Sequence, residues 1–264
     1  MSAAPSSPRI GKVSLIVHDL GLVADFYQKA VGLHLLSSDG EAATLGVGNA
    51  VLLELRQDKA ARRRSSREAG LFHTAFLLPS RGDLGRWTKN AAATRAPVVG
   101  ASDHLVSEAI YLTDPEGNGV EIYSDRPHDE WKWDGSTIRM ATNALDVNAI
   151  VAAAGPNPPD WTGAPAKLRI GHVHLRVGDA TAAEAWWGAE VGLQPTTHYP
   201  GATFLASGGY HHHIAGNVWQ SRGAGARNPA RSGLDFVTLS GSGVTSEREL
   251  ADPWGTIIRM APGL

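Results

Sequence analysis

HLVSEAIYLTDPEGNGVE, running from His104 to Glu121, reads as strand, tight turn, strand. Ile110, Tyr111 and Leu112 centre a short apolar strand. Asp114-Pro115-Glu116-Gly117-Asn118-Gly119 is dense turn chemistry: proline fixes φ, while glycine and asparagine tolerate φ above zero. Val120-Glu121-Ile122-Tyr123 then leaves as a second strand. Alternation puts Glu121 and Tyr123 on one face and Val120 and Ile122 on the other. A carboxylate among apolar strand residues needs a partner if it points inward, and a metal ion could be that partner.

The chain around this stretch has 264 residues, enough for two compact domains or one double domain with a sizeable core. Apolar content of 42% and charged content of 19% are ordinary for a globular protein. A net charge of −2 gives no electrostatic case for nucleic acid or an anionic membrane. The basic run Arg62-Arg63-Arg64, with Arg67 nearby, reads as a solvated loop. Without cysteine there are no disulfides, thiolate metal sites or thiol nucleophile. Met1 to Pro8 lacks the basic-then-apolar order of a secretory signal. No apolar run approaches the ~20 residues that span a bilayer, so the expected location is the cytoplasm. Eleven histidines exceed what bulk composition demands.

The chain repeats itself. Arg9-Ile10-Gly11-Lys12-Val13-Ser14-Leu15-Ile16-Val17 is an alternating strand, followed by Asp19 as a helix cap, Phe26-Tyr27, and Val31-Gly32-Leu33 at the helix end. Arg169-Ile170-Gly171-His172-Val173-His174-Leu175-Arg176-Val177, Asp179, Trp186-Trp187 and Val191-Gly192-Leu193 repeat the pattern 160 residues later. One register held across two elements indicates duplication, and it makes Trp186-Trp187 core. A shorter βαβββ unit recurs within each half. The first unit closes with a hairpin pair over 44–47 and 51–55; the second opens at Leu71-Phe72-His73 and has its helix over 82–94. The third runs from Leu168 to Trp219. The fourth keeps a strand over 234–239 and the Asp252-Pro253-Trp254-Gly255 turn but has no room for a full helix. The expected layout is an N-terminal domain of two modules over 9–125, a linker over 126–167 with a helix from Ser136 to Ala153, and a C-terminal domain over 168–264.

Four βαβββ units, two closing with Asp-Pro-x-Gly turns, resemble the vicinal oxygen chelate superfamily of glyoxalases, bleomycin and fosfomycin resistance proteins and extradiol ring-cleaving dioxygenases. The resemblance implies an α+β fold of tandem βαβββ modules forming two half-barrel cups, with the fourth module truncated. His104, Ile110, Tyr111, Asp114, Pro115, Gly117 and Glu121 also fit the extradiol dioxygenase signature, departing from it at Ser102. Gly208-Gly209-Tyr210-His211-His212-His213-Ile214 and Asp125-Arg126-Pro127 are most similar to two-domain bacterial catechol 2,3-dioxygenase-like proteins.

In that superfamily metal ligands come from the first and last strands of each unit. Those places hold Lys12 and Glu54 in unit one, His73 and Glu121 in unit two, His172 and the triple histidine in unit three, and Asp235 and Arg259 in unit four. His73, His172 and Glu121 make a two-histidine, one-carboxylate facial set that suits Fe(II) and also accepts Mn(II). The set meets in one cup if units two and three pair. If units one and two paired, His172 would face an arginine, so the first arrangement is expected. His174 shares a face with His172, leaving one as ligand and the other as packing. Glu54 is either a ligand or a salt-bridge partner.

The resemblance implies an aromatic diol and O₂ as substrates, bound to the metal together. The protein must take a proton from the diol, orient the oxygen and protonate a leaving oxygen. Strand alternation at Tyr210-His211-His212-His213 sends His212 to one face and its neighbours to the other, and the resemblance makes His212 the acid/base. Tyr111 and His104 would hydrogen-bond the diol or the oxygen. Trp131 and Trp133 form a lid or seal a dimer contact, and the truncated fourth unit leaves an edge for the linker or another subunit to cover. A glyoxalase-like or fosfomycin-resistance-like metal-dependent isomerase or transferase would use the same ligands, and a non-catalytic binder would dispense with them. The His104–Tyr111 spacing and the intact ligand set argue for ring cleavage.

Overall fold

The computed structural model describes residues 8–241 and 243–263. Its first module is β1 (Arg9–Val17), α1 (Leu20–Phe26), β2 (His34–Ser38), β3 (Ala42–Val47) and β4 (Ala50–Gln57). The second is β5 (Gly70–Leu77), α2 (Arg81–Thr94), β6 (Val98–Asp103), β7 (Ser107–Thr113) and β8 (Gly119–Asp125). The connecting segment carries a short hairpin, β9 (Trp133–Asp134) and β10 (Thr137–Ile138), and α3 (Val147–Ala153). The third module is β11 (Arg169–Arg176), α4 (Ala180–Trp186), β12 (Gln194–Tyr199), β13 (Ala202–Ala206) and β14 (Ile214–Asn217). The fourth is reduced to β15 (Gly233–Gly241), β16 (Arg248–Ala251) and β17 (Ile257–Pro262). The protein thus has the expected α+β fold of βαβββ modules with a truncated last member.

Two sheets result. The seven-stranded sheet has the order β16-β17-β15-β1-β4-β3-β2, and the eight-stranded sheet β12-β13-β14-β11-β5-β8-β7-β6. Module one therefore pairs with module four, and module two with module three. In each sheet the first strands of the two modules meet antiparallel, β1 on β15 and β11 on β5, and each lies parallel to the last strand of its own module. One apolar cluster runs through both sheets, from Val13 and Leu15 to Phe76, Val173 and Leu239, and includes Tyr27 and Trp187 from the expected core positions. Among the described residues, no helix is long and apolar enough to cross a membrane.

The duplication survives in backbone detail. Asp19 and Asp179 cap α1 and α4 through their side chains, and both helices end in a π-type turn closed by a left-handed glycine, Gly32 (φ 90°) and Gly192 (φ 80°). The Asp-Pro-x-Gly turns also share a mechanism. Asp114 Oδ1 accepts from the Glu116 and Asn118 amides at 2.9 and 2.8 Å, and Asp252 Oδ1 from the Trp254 and Thr256 amides at the same distances. Glu116, in the first of these turns, accepts from the His18 and Asp19 amides at 2.7 and 2.9 Å and so fastens module two to the start of α1.

Two local expectations fail. The helix expected from Ser136 to Ala153 is confined to Val147–Ala153, because Thr137–Ile138 pairs with Trp133–Asp134 instead. The basic run is only partly solvated: Arg64 is half-buried and donates from Nη2 to the Leu71 carbonyl at 2.6 Å, while Arg62 and Arg63 are exposed.

β11 bulges at Gly171, where Ile170 pairs with Phe76 and His172 already pairs with Ala75. A Cβ at Gly171 would fall 1.7 Å from the Tyr123 hydroxyl oxygen, so only glycine admits Tyr123 beside His172. Gly171→Ala should cost roughly 1–3 kcal/mol by overpacking. Urea unfolding measures this, and an unchanged midpoint would refute the close approach.

Candidate metal centre

The pairing of modules two and three brings the expected ligands together. His73 on β5 pairs in register with His174 and lies diagonally from His172 on β11, whose own register partner is Ala75. Glu121 reaches both His73 and His172 from β8, the parallel neighbour of β5. Glu121 Oε2 lies 3.0 Å from His73 Nε2 and 3.2 Å from His172 Nε2, and the two nitrogens are 3.3 Å apart. All three side chains are buried. Ligands at cis positions about 2.1 Å from one ion lie about 3 Å apart, so these edges fit a single divalent ion bound on one face. The donor set, two imidazoles and a carboxylate with no thiolate, suits Fe(II), Mn(II) or Zn(II). His174 takes the other role left open for it: its Nε2 is 3.0 Å from Asn217 Nδ2, and its ring packs between Phe72, Phe204 and Trp219.

These residues line a cavity of about 280 Å³ that also takes in His104, Tyr111 and His212. All six site residues singled out in the sequence thus surround one space. Its remaining walls are largely aromatic, with Phe72, Tyr199, Phe204 and Trp219, and no lysine or arginine lines it. The linker contributes Met140 and Thr142, which sequence reasoning missed. Trp131 and Trp133 do not line the cavity: Trp131 is buried against Tyr210 and His211, and Trp133 is exposed.

His104 is held at both nitrogens. Its Nδ1 lies 2.6 Å from the Ala141 carbonyl and its Nε2 2.6 Å from the Tyr111 hydroxyl. A carbonyl only accepts, so Nδ1 carries the hydrogen, and in the neutral ring Tyr111 donates to Nε2. Leu105, the next residue, takes a left-handed conformation (φ 68°), and its amide donates to Asp103 Oδ1 at 2.8 Å. Arg126 Nη2 holds the other oxygen of Asp103 at 2.8 Å, which fixes the loop carrying His104.

The histidine run departs from the expected alternation. Tyr210 to His213 precede β14 and are not strand, so His211 and His212 turn toward each other, Nδ1 to Nδ1 at 2.7 Å. Only His212 of the three reaches the cavity. His211 Nε2 donates instead to Asp125 Oδ1 at 3.0 Å. Asp125 and Tyr123 are further residues that were missed as site residues, although two-residue alternation from Glu121 puts both on its face of β8.

The other cup lacks such a set among the described residues. Lys12, the counterpart of His172, is ion-paired with Glu54, so Glu54 is a salt-bridge partner here. Arg259 stacks over Phe236 at 3.6 Å and pairs with Glu249, and Asp235 accepts from Ser14 at 3.2 Å.

Burial dominates the site electrostatics. It pushes His172 down to about 4 and His213 to about 3, and drives His174 and His212 well below the ordinary histidine value. Burial and the Glu121 charge raise the Tyr111 phenol, which stays protonated. A histidine depressed in the folded state contributes stability above its unfolded value near 6.5 and loses it as pH falls toward the folded value. The metal-free protein should therefore lose about 2 kcal/mol between pH 7 and pH 5 from His172 alone. Denaturant titrations at the two pH values test this, and equal stabilities would contradict it.

Comparison with known proteins agrees with this architecture. The family model of the Glyoxalase/Bleomycin resistance protein/Dioxygenase superfamily matches residues 9–122. A catechol-2,3-dioxygenase of Bacillus subtilis (strain 168) is 36% identical over 249 residues, covering 90% of this chain and 85% of the relative. Among solved structures, glyoxalase I from Zea mays superposes with a TM-score of 0.56 at 14% identity, covering 97% of this chain and 92% of that one. The cppA protein from Streptococcus pneumoniae TIGR4 gives 0.58 at 11% identity, covering 96% and 98%. At these identities the two structures speak for the fold alone. The fold, the family match and the extent of the Bacillus similarity together make this chain a member of the glyoxalase/bleomycin resistance protein/dioxygenase superfamily.

Proposed function

We propose that the chain is an extradiol ring-cleaving dioxygenase that opens a catechol-type ring beside its diol, with both atoms of O₂ entering the product. The observation that carries this reading is one aromatic-walled cavity holding His73, His172 and Glu121 together with the His104–Tyr111 pair and His212. The 36% identical relative named catechol-2,3-dioxygenase supports it. His73 Nε2, His172 Nε2 and Glu121 Oε2 hold the metal, Fe(II) in this reading and Mn(II) as the other ion the set accepts. When bound, the metal brings the diol and O₂ together and passes electron density from one to the other.

The protein supplies the rest. Phe72, Phe204 and Trp219 offer flat apolar walls to an aromatic ring and exclude water from it. His212 Nε2, which has no hydrogen-bond partner among the described residues, is the atom that takes a proton from the diol. Burial keeps that imidazole neutral and able to accept. Tyr111, which lines the cavity, donates its hydrogen to His104 Nε2, and its oxygen then serves as acceptor for a diol hydroxyl.

A glyoxalase-type isomerase would share these ligands but would have no use for O₂. Anaerobic purification followed by metal analysis and an oxygen electrode separates the two. Bound iron, oxygen uptake on catechol and a yellow ring-fission product are expected. Zinc or nickel without oxygen uptake would favour the isomerase, and no metal would favour a binding protein. His73→Ala and Glu121→Ala should each lower metal content at least tenfold, and unchanged content would overturn the ligand set. His212→Phe should cut kcat by about 10²–10⁴ with metal content unchanged; full activity would remove His212 from the mechanism.

A further inference from the structure

The cavity accounts for one nitrogen of His172 and one of His212. Their other nitrogens lead away from it, and two separate hydrogen-bonded paths from them end on one carboxylate. His172 Nδ1 lies 3.3 Å from the Tyr123 hydroxyl, which lies 2.8 Å from the Tyr210 hydroxyl, which lies 3.2 and 3.1 Å from the two oxygens of Asp125. On the second path, His212 Nδ1 lies 2.7 Å from His211 Nδ1, and His211 Nε2 lies 3.0 Å from Asp125 Oδ1.

The direction of every hydrogen follows from the carboxylate end, because a carboxylate only accepts. Tyr210 gives its hydrogen to Asp125, so Tyr123 must supply the one between the two phenols. With that hydrogen spent, the contact between Tyr123 and His172 requires a hydrogen on His172 Nδ1. The Nε2 lone pair of His172 is then left facing His73 and Glu121. On the other path, a neutral His211 that donates from Nε2 accepts at Nδ1. His212 therefore carries its hydrogen on Nδ1 and presents an Nε2 lone pair to the cavity.

We propose that Asp125 is a shared positioning residue that sets the tautomer and ring orientation of both His172 and His212. The proposal rests on reading His172 as a ligand and His212 as the acid/base. The surroundings suit an anchor. Tyr123 and His211 are fully buried and Trp131 packs on Tyr210 and His211, so the links next to the two rings are shielded from water, while Asp125 itself is 22% exposed. β8 also carries Glu121, Tyr123 and Asp125 on one face, so one strand supplies a ligand, a relay hydroxyl and the anchor. Outer partners of this kind commonly change metal affinity by about 10–100-fold when altered.

The test uses full-length protein labelled with ¹⁵N-histidine. Imidazole nitrogen shifts report which nitrogen bears hydrogen, and chelator competition measures Mn(II) affinity. In the wild type, His172 and His212 should both be protonated at Nδ1. Asp125→Asn, whose amide can also donate, should mix the tautomers at both rings and weaken Mn(II) about 10–100-fold. Tyr210→Phe should disturb His172 alone, and His211→Asn His212 alone. Wild-type rings protonated at Nε2, an Asp125→Asn spectrum like the wild type, or a change at only one ring would overturn the shared anchor. If Asp125→Asn does not fold, the other two variants decide: each must move its own ring and leave the other in place. None of these readouts needs ring cleavage. Wild-type tautomers as expected without oxygen uptake on catechol would reject the dioxygenase reading and leave the anchor standing.

Discussion

Antiparallel pairing of β5 with β11 makes neighbours of two distant histidines. His73 and His172 stand 99 residues apart in the chain and 3.3 Å apart at Nε2. The pairing is fixed by residues with no chemistry of their own. Phe76, Val173 and Leu175 face the apolar core, and a one-residue slip would turn the histidines into that core. Bulges then aim the side chains: β11 takes an extra residue at Gly171, and β5 takes one at Phe72. Glu121 follows because β8 is the parallel neighbour of β5 within the same module. The candidate site is thus a consequence of which modules share a sheet.

The same constraint explains the unequal cups. The pairing of modules one and four repeats the geometry, including an extra residue in β1 between Ile10 and Val13. Lys12 occupies the position of His172 there, and it forms an ion pair with Glu54. A part-exposed pair of opposite charges is satisfied by itself and calls for no ion. In the other cup two imidazoles and a carboxylate converge in a buried space, where an unshared acceptor is costly. Duplication therefore provides two equivalent scaffolds, and the side chains at a few strand positions make one a candidate centre and the other a structural support.

Much of this was legible in the sequence because the features repeat or alternate. A register of 160 residues exposed the duplication, and the Asp-Pro-x-Gly turns marked the ends of modules two and four. Alternation along β8 placed Glu121 inward. Pairing of modules two and three followed from asking where cations and ligands could coexist. What escaped lies where neither periodicity holds. The histidine run precedes its strand rather than belonging to it, so alternation failed at His211 and His212. The linker helix shortened because Thr137–Ile138 found a hairpin partner that local propensity does not reveal. Arg64 reads as one cation in a basic run, yet the Leu71 carbonyl it caps is set only by the fold. Asp125 was visible as part of a three-residue motif, but its partners Tyr210 and His211 lie more than 80 positions away.

In the proposed centre, modules two and three share one metal held by His73, His172 and Glu121. Anomalous diffraction at the iron edge, on crystals of anaerobically loaded protein, addresses it without reference to turnover. A single strong peak is expected about 2.1 Å from His73 Nε2, His172 Nε2 and Glu121 Oε2. A peak between His172, His211 and His212, which also lie within 4.8 Å of one another, would contradict it, as would a peak in the cup formed by modules one and four.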